Sequence, residues 1–258
     1  MTAPVAPISL DSYQAAVDQT RRQIITYAAA MWATASLRDE MVERLVDVFA
    51  PAVVAAQYTI ANLTSVYLAS ATGTEPLPVE DIVTLGRGVP NDEVYARPVI
   101  QSRALVAEGK PPAEAFEAGG RRLESIATAD LQMAKVRQAN MSLQATDVEF
   151  YRRVPTGNET CAMCLIASTR RYRKRELMPI HPGCDCDIDV IPEGMDLDLV
   201  LDEDLLESTH QKVKEITSIR DASGKAVDYR KLLITHEHGE LGPVVAWRGQ
   251  NFTGPADL

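Results

Sequence analysis

CAMCLIASTRRYRKRELMPIHPGCDC (residues 161–186) contains all four cysteines of the 258-residue chain. They form two pairs, Cys161-x-x-Cys164 and Cys184-x-Cys186, and His181 lies three residues before the second pair. Nineteen residues separate the pairs, close to the interval at which two short turns meet at one zinc ion. Zn²⁺ prefers thiolate and imidazole ligands in a closed tetrahedron when its role is structural. We therefore predict a structural zinc site that uses four of five candidates: Cys161, Cys164, His181, Cys184 and Cys186.

Two other readings of the cysteines stay open at this point. Four thiols can form two disulfides, and Cys161 with Cys164 can act as a redox pair. The N-terminus lacks the basic segment and apolar core of a secretory signal, and no βαβ pattern frames the CxxC. Both observations favour a metal, and the fifth candidate ligand would then hydrogen-bond to a bound thiolate.

The order of these residues resembles the C-terminal motif of the phage Mu F-like (MuF) minor head proteins. That family shows CxxC followed by HPxCxC, and here the second part reads His181-Pro182-Gly183-Cys184-Asp185-Cys186. The resemblance covers about residues 146–192. The family commonly has a basic residue between the last two cysteines, so no phosphate contact is carried over to Asp185.

The resemblance implies a minor capsid protein of a tailed bacteriophage, specifically an actinobacteriophage. Such a protein is structural, lies inside the capsid near the portal, and acts in head assembly, DNA packaging or ejection. The expected partners are the portal protein, the major capsid protein and packaged DNA, with the host cytoplasm as the compartment during assembly. The alternative is a capsid maturation protease acting on head proteins, because relatives in actinobacteriophage genomes often carry that label.

No catalytic motif is recognisable in the sequence. His236-Glu237-His238 places two imidazoles at i and i+2, whereas a helical zinc protease needs two histidines one turn apart, and we expect a solvated or turn segment. No P-loop, GxGxxG or GxSxG is present. We therefore predict no enzymatic activity, no catalytic residue and no small-molecule substrate.

Composition predicts an α+β fold that is mainly α. Hydrophobic residues make up 46% of the chain but aromatic residues only 5%, which indicates long helices packed through small side chains. We expect a helical domain over 1–145, a small β-rich zinc-stapled module over 146–192, and an acidic helix (203–217) followed by a strand and tail within 193–258. No run of 18 or more apolar residues occurs, so no membrane-spanning segment is expected.

Helical periodicity is strong in the first 145 residues. It predicts one helix from Asp11 to Ser36, a second from Asp39 to Ala71 that Pro51 kinks or divides, and a long one from Pro112 to Gln144. The buried face expected for the first helix is Tyr13, Val17, Ile24, Ala28 and Met31. The face expected for the second is Met41, Leu45, Val48, Ala52, Ala55, Thr59 and Val66. The face expected for the long helix is Phe116, Leu123, Ile126, Ala127, Met133 and Ala134.

Near Thr146 the pattern changes to strands. Residues 148–155 mix aromatic and β-branched side chains, and 188–191 alternate in polarity, so we expect these two segments to pair.

The charge distribution separates the cysteine region from the remainder of the chain. The net charge is −10, yet residues 150–190 alone are positive, at +2. The charge distribution therefore argues against a role in which the whole protein binds DNA. The basic residues form a predicted loop between the cysteine pairs, which is either solvated or contacts packaged DNA or an acidic protein. These residues are Arg170, Arg171, Arg173, Lys174 and Arg175.

Overall fold

The computed structural model describes residues 8–80, 83, 86–156, 164, 167–168, 171–176 and 186–191, and the backbone of 233–238 and 242–247. The described helices are α1 (Leu10–Ala33), α2 (Asp39–Arg44), α3 (Ala50–Thr72), α4 (Asn91–Ala107) and α5 (Pro112–Gln144). A π-helical turn, Leu45–Phe49, joins α2 to α3 without a break. The prediction of a mainly helical chain is confirmed for this part of the molecule.

Two small antiparallel sheets follow the helices. The first has the order β2-β1-β3, with β1 (Phe150–Val154) in the centre, β2 (Arg171–Arg173) on one edge and β3 (Asp187–Val190) on the other. The predicted pairing of the two segments that contain β1 and β3 is confirmed. The second is a hairpin of β4 (Leu233–His238) and β5 (Gly242–Trp247).

Helix α1 follows its sequence pattern closely. It begins after Ser9, whose Oγ accepts a hydrogen bond from the backbone N–H of Ser12 at 3.2 Å, an N-cap that satisfies one of the free donors of the first turn. All five apolar residues predicted for its buried face are at most 7% exposed. The periodicity prediction for this helix is confirmed.

The prediction for the second helix is wrong after its first turns. Met41 and Leu45 are buried, but Val48 and Val66 are 50% and 40% exposed, and Ala55 and Thr59 also face outward. The cause is the π-helical turn, in which the N–H of Ala50 donates to the carbonyl of Leu45, five residues back. A wider turn accommodates the ring of Pro51, and its extra residue rotates the downstream helix relative to a regular 3.6-residue period. The buried residues of α3 are therefore displaced from the predicted stripe.

By length and composition alone, the continuous helical segment Asp39–Thr72 could cross a membrane. It has 34 residues, and its most apolar 18-residue window has a mean hydropathy of 1.3. The core helix of a soluble protein meets the same two conditions, and 44% of that window is buried inside the protein. The expectation that no segment spans a membrane stays a prediction.

Helices α1 and α5 cross in close contact at two glycines. The indole Nε1 of Trp32 donates to the carbonyl of Phe116 at 2.8 Å, so the indole lies against the α5 backbone. A Cβ at Gly119 would meet the hydroxyl of Ser102 and come within 2.5 Å of the indole ring, and one at Gly120 would come within 2.9 Å of it. Glycine at both positions is therefore what permits the close approach of α5 to Trp32.

A buried polar cluster anchors the turn before α4 to the middle of α5. Asp130 accepts hydrogen bonds from the Nε of Arg87 at 2.6 Å and from the hydroxyl of Tyr95 at 2.7 Å, and its backbone carbonyl accepts from Gln57 at 3.1 Å. Arg87 also donates to the carbonyl of Ile126 at 2.9 Å. The buried charge of Asp130 is thus paired and fully hydrogen-bonded, which is the condition under which a buried carboxylate is tolerated.

The predictions for the C-terminal part of the chain, residues 193–258, have different outcomes. The strand predicted between the acidic helix and the C-terminal tail is present as β5. His236 and His238 lie in β4, paired with Val244 and Gly242, so of the two expectations for this segment the turn is wrong and the solvated segment stays a prediction. Ile234 and Thr235 are β-branched residues that favour a strand, and pairing with β5 continues the strand through the two histidines. The predicted helix 203–217 lies outside the described residues.

Candidate functional site

The sheet β2-β1-β3 is attached to the helices by buried polar contacts from β3. The carboxylate of Asp187 accepts from the Nζ of Lys135 in α5 at 2.7 Å, and both side chains are at most 3% exposed. The neighbouring carbonyl of Cys186 accepts from Gln132 at 3.3 Å. Two residues one turn apart on α5 therefore hold the start of β3 in place.

Asp189, two residues further along β3, links the sheet to α3. Its Oδ1 accepts from the hydroxyl of Tyr67 at 2.6 Å, and its Oδ2 accepts from the Nε and a terminal nitrogen of Arg152 at 2.9 and 2.6 Å. Burial, and then the hydrogen bond to Asp189, raise the pKa of Tyr67 well above its ordinary value. The ring of Tyr67 stacks on that of Tyr13, with centroids 4.4 Å apart.

Sequence reasoning missed these attachments. Asp187 and Asp189 continue the alternation of the CDCDIDV segment, and both point from one face of β3. The alternation indicates that the two carboxylates share one face of the strand. It does not indicate that this face is buried, because charged residues on a short strand are normally solvated. Their partners Lys135 and Tyr67 are separated from them in sequence by 52 and 122 residues, so no local pattern identifies the pairs.

Two of the five predicted zinc ligands lie among the described residues. Cys164 and Cys186 are each 1% exposed and belong to the same hydrophobic cluster, together with Tyr151, Tyr172 and Ile188. One cysteine from each pair is thus buried in the hydrophobic core. Cys161, His181 and Cys184 lie outside the described residues, and the described part of the chain contains no group of three potential metal ligands.

The basic run is an edge strand rather than the predicted loop. Arg171–Arg173 forms β2, and a 3-10 turn, Lys174–Glu176, follows it. The strand forms because β1 supplies a hydrogen-bonding partner and Tyr172 packs into the core, where its hydroxyl donates to the carbonyl of Ala167 at 2.9 Å. A run that looks solvated in sequence is therefore ordered by pairing with a distant segment.

The members of the basic run have different environments. Arg171, Arg173 and Arg175 are exposed, whereas the Nζ of Lys174 donates to the carbonyl of Thr146 at 2.6 Å, just after the end of α5. Lys174 consequently fixes the strand to the helix. Arg170 lies outside the described residues.

Phe150 on β1 lies between two of these arginines. The guanidinium carbons of Arg171 and Arg173 are 4.6 and 5.4 Å from the centroid of its ring. Arg173 also contacts Glu149 at 3.1 Å, with both side chains about half exposed or more. No local sequence pattern indicates that an aromatic residue 21 positions before Arg171 organises the basic run.

A family model described as VG15 protein matches residues 5–213, which is most of the chain. The chain belongs to the VG15 protein family. The family is one of viral gene 15 proteins, which indicates a phage protein with a structural, virion-associated role. No curated protein and no solved structure matches the chain.

The VG15 match includes all five described helices, the sheet β2-β1-β3 and the cysteine segment. The hairpin β4–β5 lies beyond it. The features described above, namely the buried attachments of β3 and the arginines around Phe150, therefore all lie in the part of the chain that defines the family.

Proposed function

We propose that this chain is a MuF-like minor capsid protein of an actinobacteriophage that binds the portal protein inside the head. It acts there in head assembly, DNA packaging or ejection, after a period in the host cytoplasm during assembly. The observation that carries the proposal is membership of a viral structural family in a chain whose cysteine segment resembles the MuF motif. The major capsid protein and packaged DNA are the other proposed partners.

A groove between α1 and α5 is the proposed docking site for the portal protein. It has a volume of about 700 Å³ and is lined mainly by apolar side chains, among them Trp32, Pro112 and Phe116. Glu117 and Glu124 contribute carboxylates to its lining. The complementary partner is an amphipathic helix of the portal protein whose apolar residues fill the groove and whose basic residues meet these carboxylates.

Arginine substitutions in this groove test the docking site. Ala29 and Ala33 line the groove and are exposed, so Ala29→Arg and Ala33→Arg should fill it without disturbing the core. Ala30→Arg is the matched control, because Ala30 is exposed on the same helix but does not line the groove. Co-purification with the portal protein should be lost in the two groove variants and kept in the control. Equal binding by all three would refute this docking site.

A structural zinc ion is part of the proposal. The buried side chains of Cys164 and Cys186 suit such a site, since Zn²⁺ binds thiolate and structural zinc sites are closed, with four protein ligands. Two of Cys161, His181 and Cys184 would supply the remaining ligands. The metal would add folding free energy to a sheet of only three short strands.

The protease alternative is distinguished by a direct assay. The full chain is incubated with the major capsid protein of the same phage, and the mixture is analysed for new fragments. A structural protein leaves the capsid protein intact while still binding the portal protein. Specific cleavage by the purified chain would replace the structural proposal with an enzymatic one.

A further inference from the structure

The outward face of β1 and β2 gathers four side chains into one patch. In the register of this antiparallel pair, Phe150 lies opposite Arg173, and Arg152 lies opposite Arg171. Residues directly opposite each other project from the same face of a sheet. We name the four together the arginine face. Tyr151 and Tyr172 project from the other face and are buried.

The arginine face is preorganised. Arg171 and Arg173 both stack on Phe150, a cation–π contact that keeps each guanidinium plane in a defined orientation. The bond from Arg152 to Asp189 fixes the third guanidinium, whose side chain is 44% exposed. Arg171 forms no salt bridge with any residue that the structure describes. The ion pair of Arg173 with Glu149 is exposed, so a competing anion can replace it at little cost.

We propose that the arginine face binds the phosphate backbone of DNA. Arg171 and Arg173 are two residues apart on one strand, so their backbones are separated by about 6.6 Å and both guanidinium forks can reach neighbouring phosphates. Phe150 is half-buried beneath the two guanidinium groups, so it organises the arginines rather than offering a ring to a base. Contacts of this kind do not depend on base sequence. The inference rests on the proposed function, because a position inside the head is what brings packaged DNA to this surface.

The charges around the arginine face determine how strongly it can bind DNA. The chain carries a net charge of −10, so the protein as a whole repels DNA, and we expect the contact at this face to involve few phosphates. Lys174 does not contribute, because its Nζ is bound to the carbonyl of Thr146. The exposed Arg175 follows β2 by two residues and extends the positive edge. The interaction is therefore weak and strongly dependent on salt.

Fluorescence anisotropy of a labelled DNA duplex, titrated with the full chain at several salt concentrations, tests the inference. Arg171→Ser/Arg173→Ser is compared with Arg22→Ser/Arg121→Ser, which has the same net charge but removes exposed arginines from α1 and α5. Each phosphate contact contributes about 0.9 to the slope of log affinity against log salt. We expect the first variant to lose affinity and to lower that slope by about 1.8, and the second to match the unaltered chain.

A second variant, which conserves the charge, separates the effect of charge from that of the guanidinium shape. Arg171→Lys/Arg173→Lys keeps the charge but loses the planar forks, and we expect reduced affinity with a largely retained salt slope. If the serine variant has a lower helical circular dichroism signal or a lower melting temperature than the unaltered chain, its loss of binding could reflect misfolding. The lysine variant then replaces it in the comparison. Equal DNA binding by the chain and all arginine-face variants would overturn the inference.

An acidic protein is the competing partner for this face. Labelled polyglutamate, measured at the same ionic strength, distinguishes the two. Tighter binding of polyglutamate than of DNA, lost in Arg171→Ser/Arg173→Ser, would overturn the assignment to DNA. Portal binding, measured with the same samples, separates this inference from the proposed function. If the arginine-face variants lose DNA binding but still bind the portal protein, the proposed function stands. If neither the unaltered chain nor any variant binds the portal protein, the result counts against the proposed function.

Discussion

Lys135→Met should be among the most destabilising single substitutions in the described part of the chain. It removes the ammonium group that lies 2.7 Å from the carboxylate of Asp187. That carboxylate, whose side chain is 0% exposed, then remains in the core without its ion-pair partner. The second carboxylate oxygen, Oδ2, already has no hydrogen-bond partner in the described structure. Removing one partner of a buried ion pair costs roughly 3–5 kcal/mol, because the remaining charge is neither hydrated nor paired.

Urea unfolding followed by far-ultraviolet circular dichroism measures this cost. Lys110→Met is the matched control, since Lys110 is 52% exposed and lies 3.7 Å from Glu114 on the surface of α5. The control should lose less than about 1 kcal/mol. Similar free energies of unfolding for the two variants would show that the Lys135–Asp187 pair does not hold the sheet on the helices.

The double variant Lys135→Met/Asp187→Leu tests the explanation itself. Buried ion pairs can often be replaced by apolar side chains of similar volume at little or no cost. We therefore expect the double variant to recover most of the stability that Lys135→Met loses. A double variant as unstable as the single one would mean that packing around Lys135, rather than the unpaired charge, causes the loss.

Three further predictions concern the helix crossing, the buried tyrosines and the metal. Gly119→Ala should destabilise the chain by about 1–3 kcal/mol in the same urea assay, because its Cβ overlaps Trp32 and Ser102; unchanged stability would contradict the close packing of α1 and α5. Burial raises the pKa of Tyr13, Tyr67 and Tyr95, so at least these three of the eight tyrosines should fail to ionise near pH 10 in an absorbance titration of the folded chain. Tyrosines in the unfolded chain ionise near pH 10, whereas the three buried tyrosines of the folded chain keep their protons. The free energy of unfolding is therefore unaffected by these tyrosines below pH 10, and above it each tyrosine lowers that free energy by up to about 1.4 kcal/mol per pH unit. Elemental analysis of the chain purified without chelators should give one zinc per chain, and Cys161→Ser should lose the metal with little change in helicity; disulfides in place of zinc would contradict the site.

The sequence predicted those elements whose patterns are local. The face of α1 was correct in every residue, because an uninterrupted helix keeps its period from Tyr13 to Met31. The second helix was predicted to end at Ala71, and α3 ends at Thr72, where Gly73 follows in the left-handed conformation with φ of 68°. The pairing of β1 with β3 was also predicted, because both segments carry strand residues beside turns.

What could not be predicted depends on contacts between distant residues. Val48 and Val66 were placed on the wrong face because periodicity assumes a constant turn, and a π-helical turn beside Pro51 alters it. Lys135 and Asp130 look like solvated helix residues until their partners on β3 and before α4 are known. The arginine face was seen only as a charged run, since the strand that orders it and the ring of Phe150 lie earlier in the chain.

Quantitative mass spectrometry of purified virions tests the proposed function most directly. The phage that encodes this chain is purified, and the chain is counted relative to the portal protein and the major capsid protein, before and after DNA is released from the heads. We predict an intact chain in a few copies, in heads that also contain the portal protein, because a minor head protein is built into the particle. A chain present in infected cells but missing from purified virions would contradict the account.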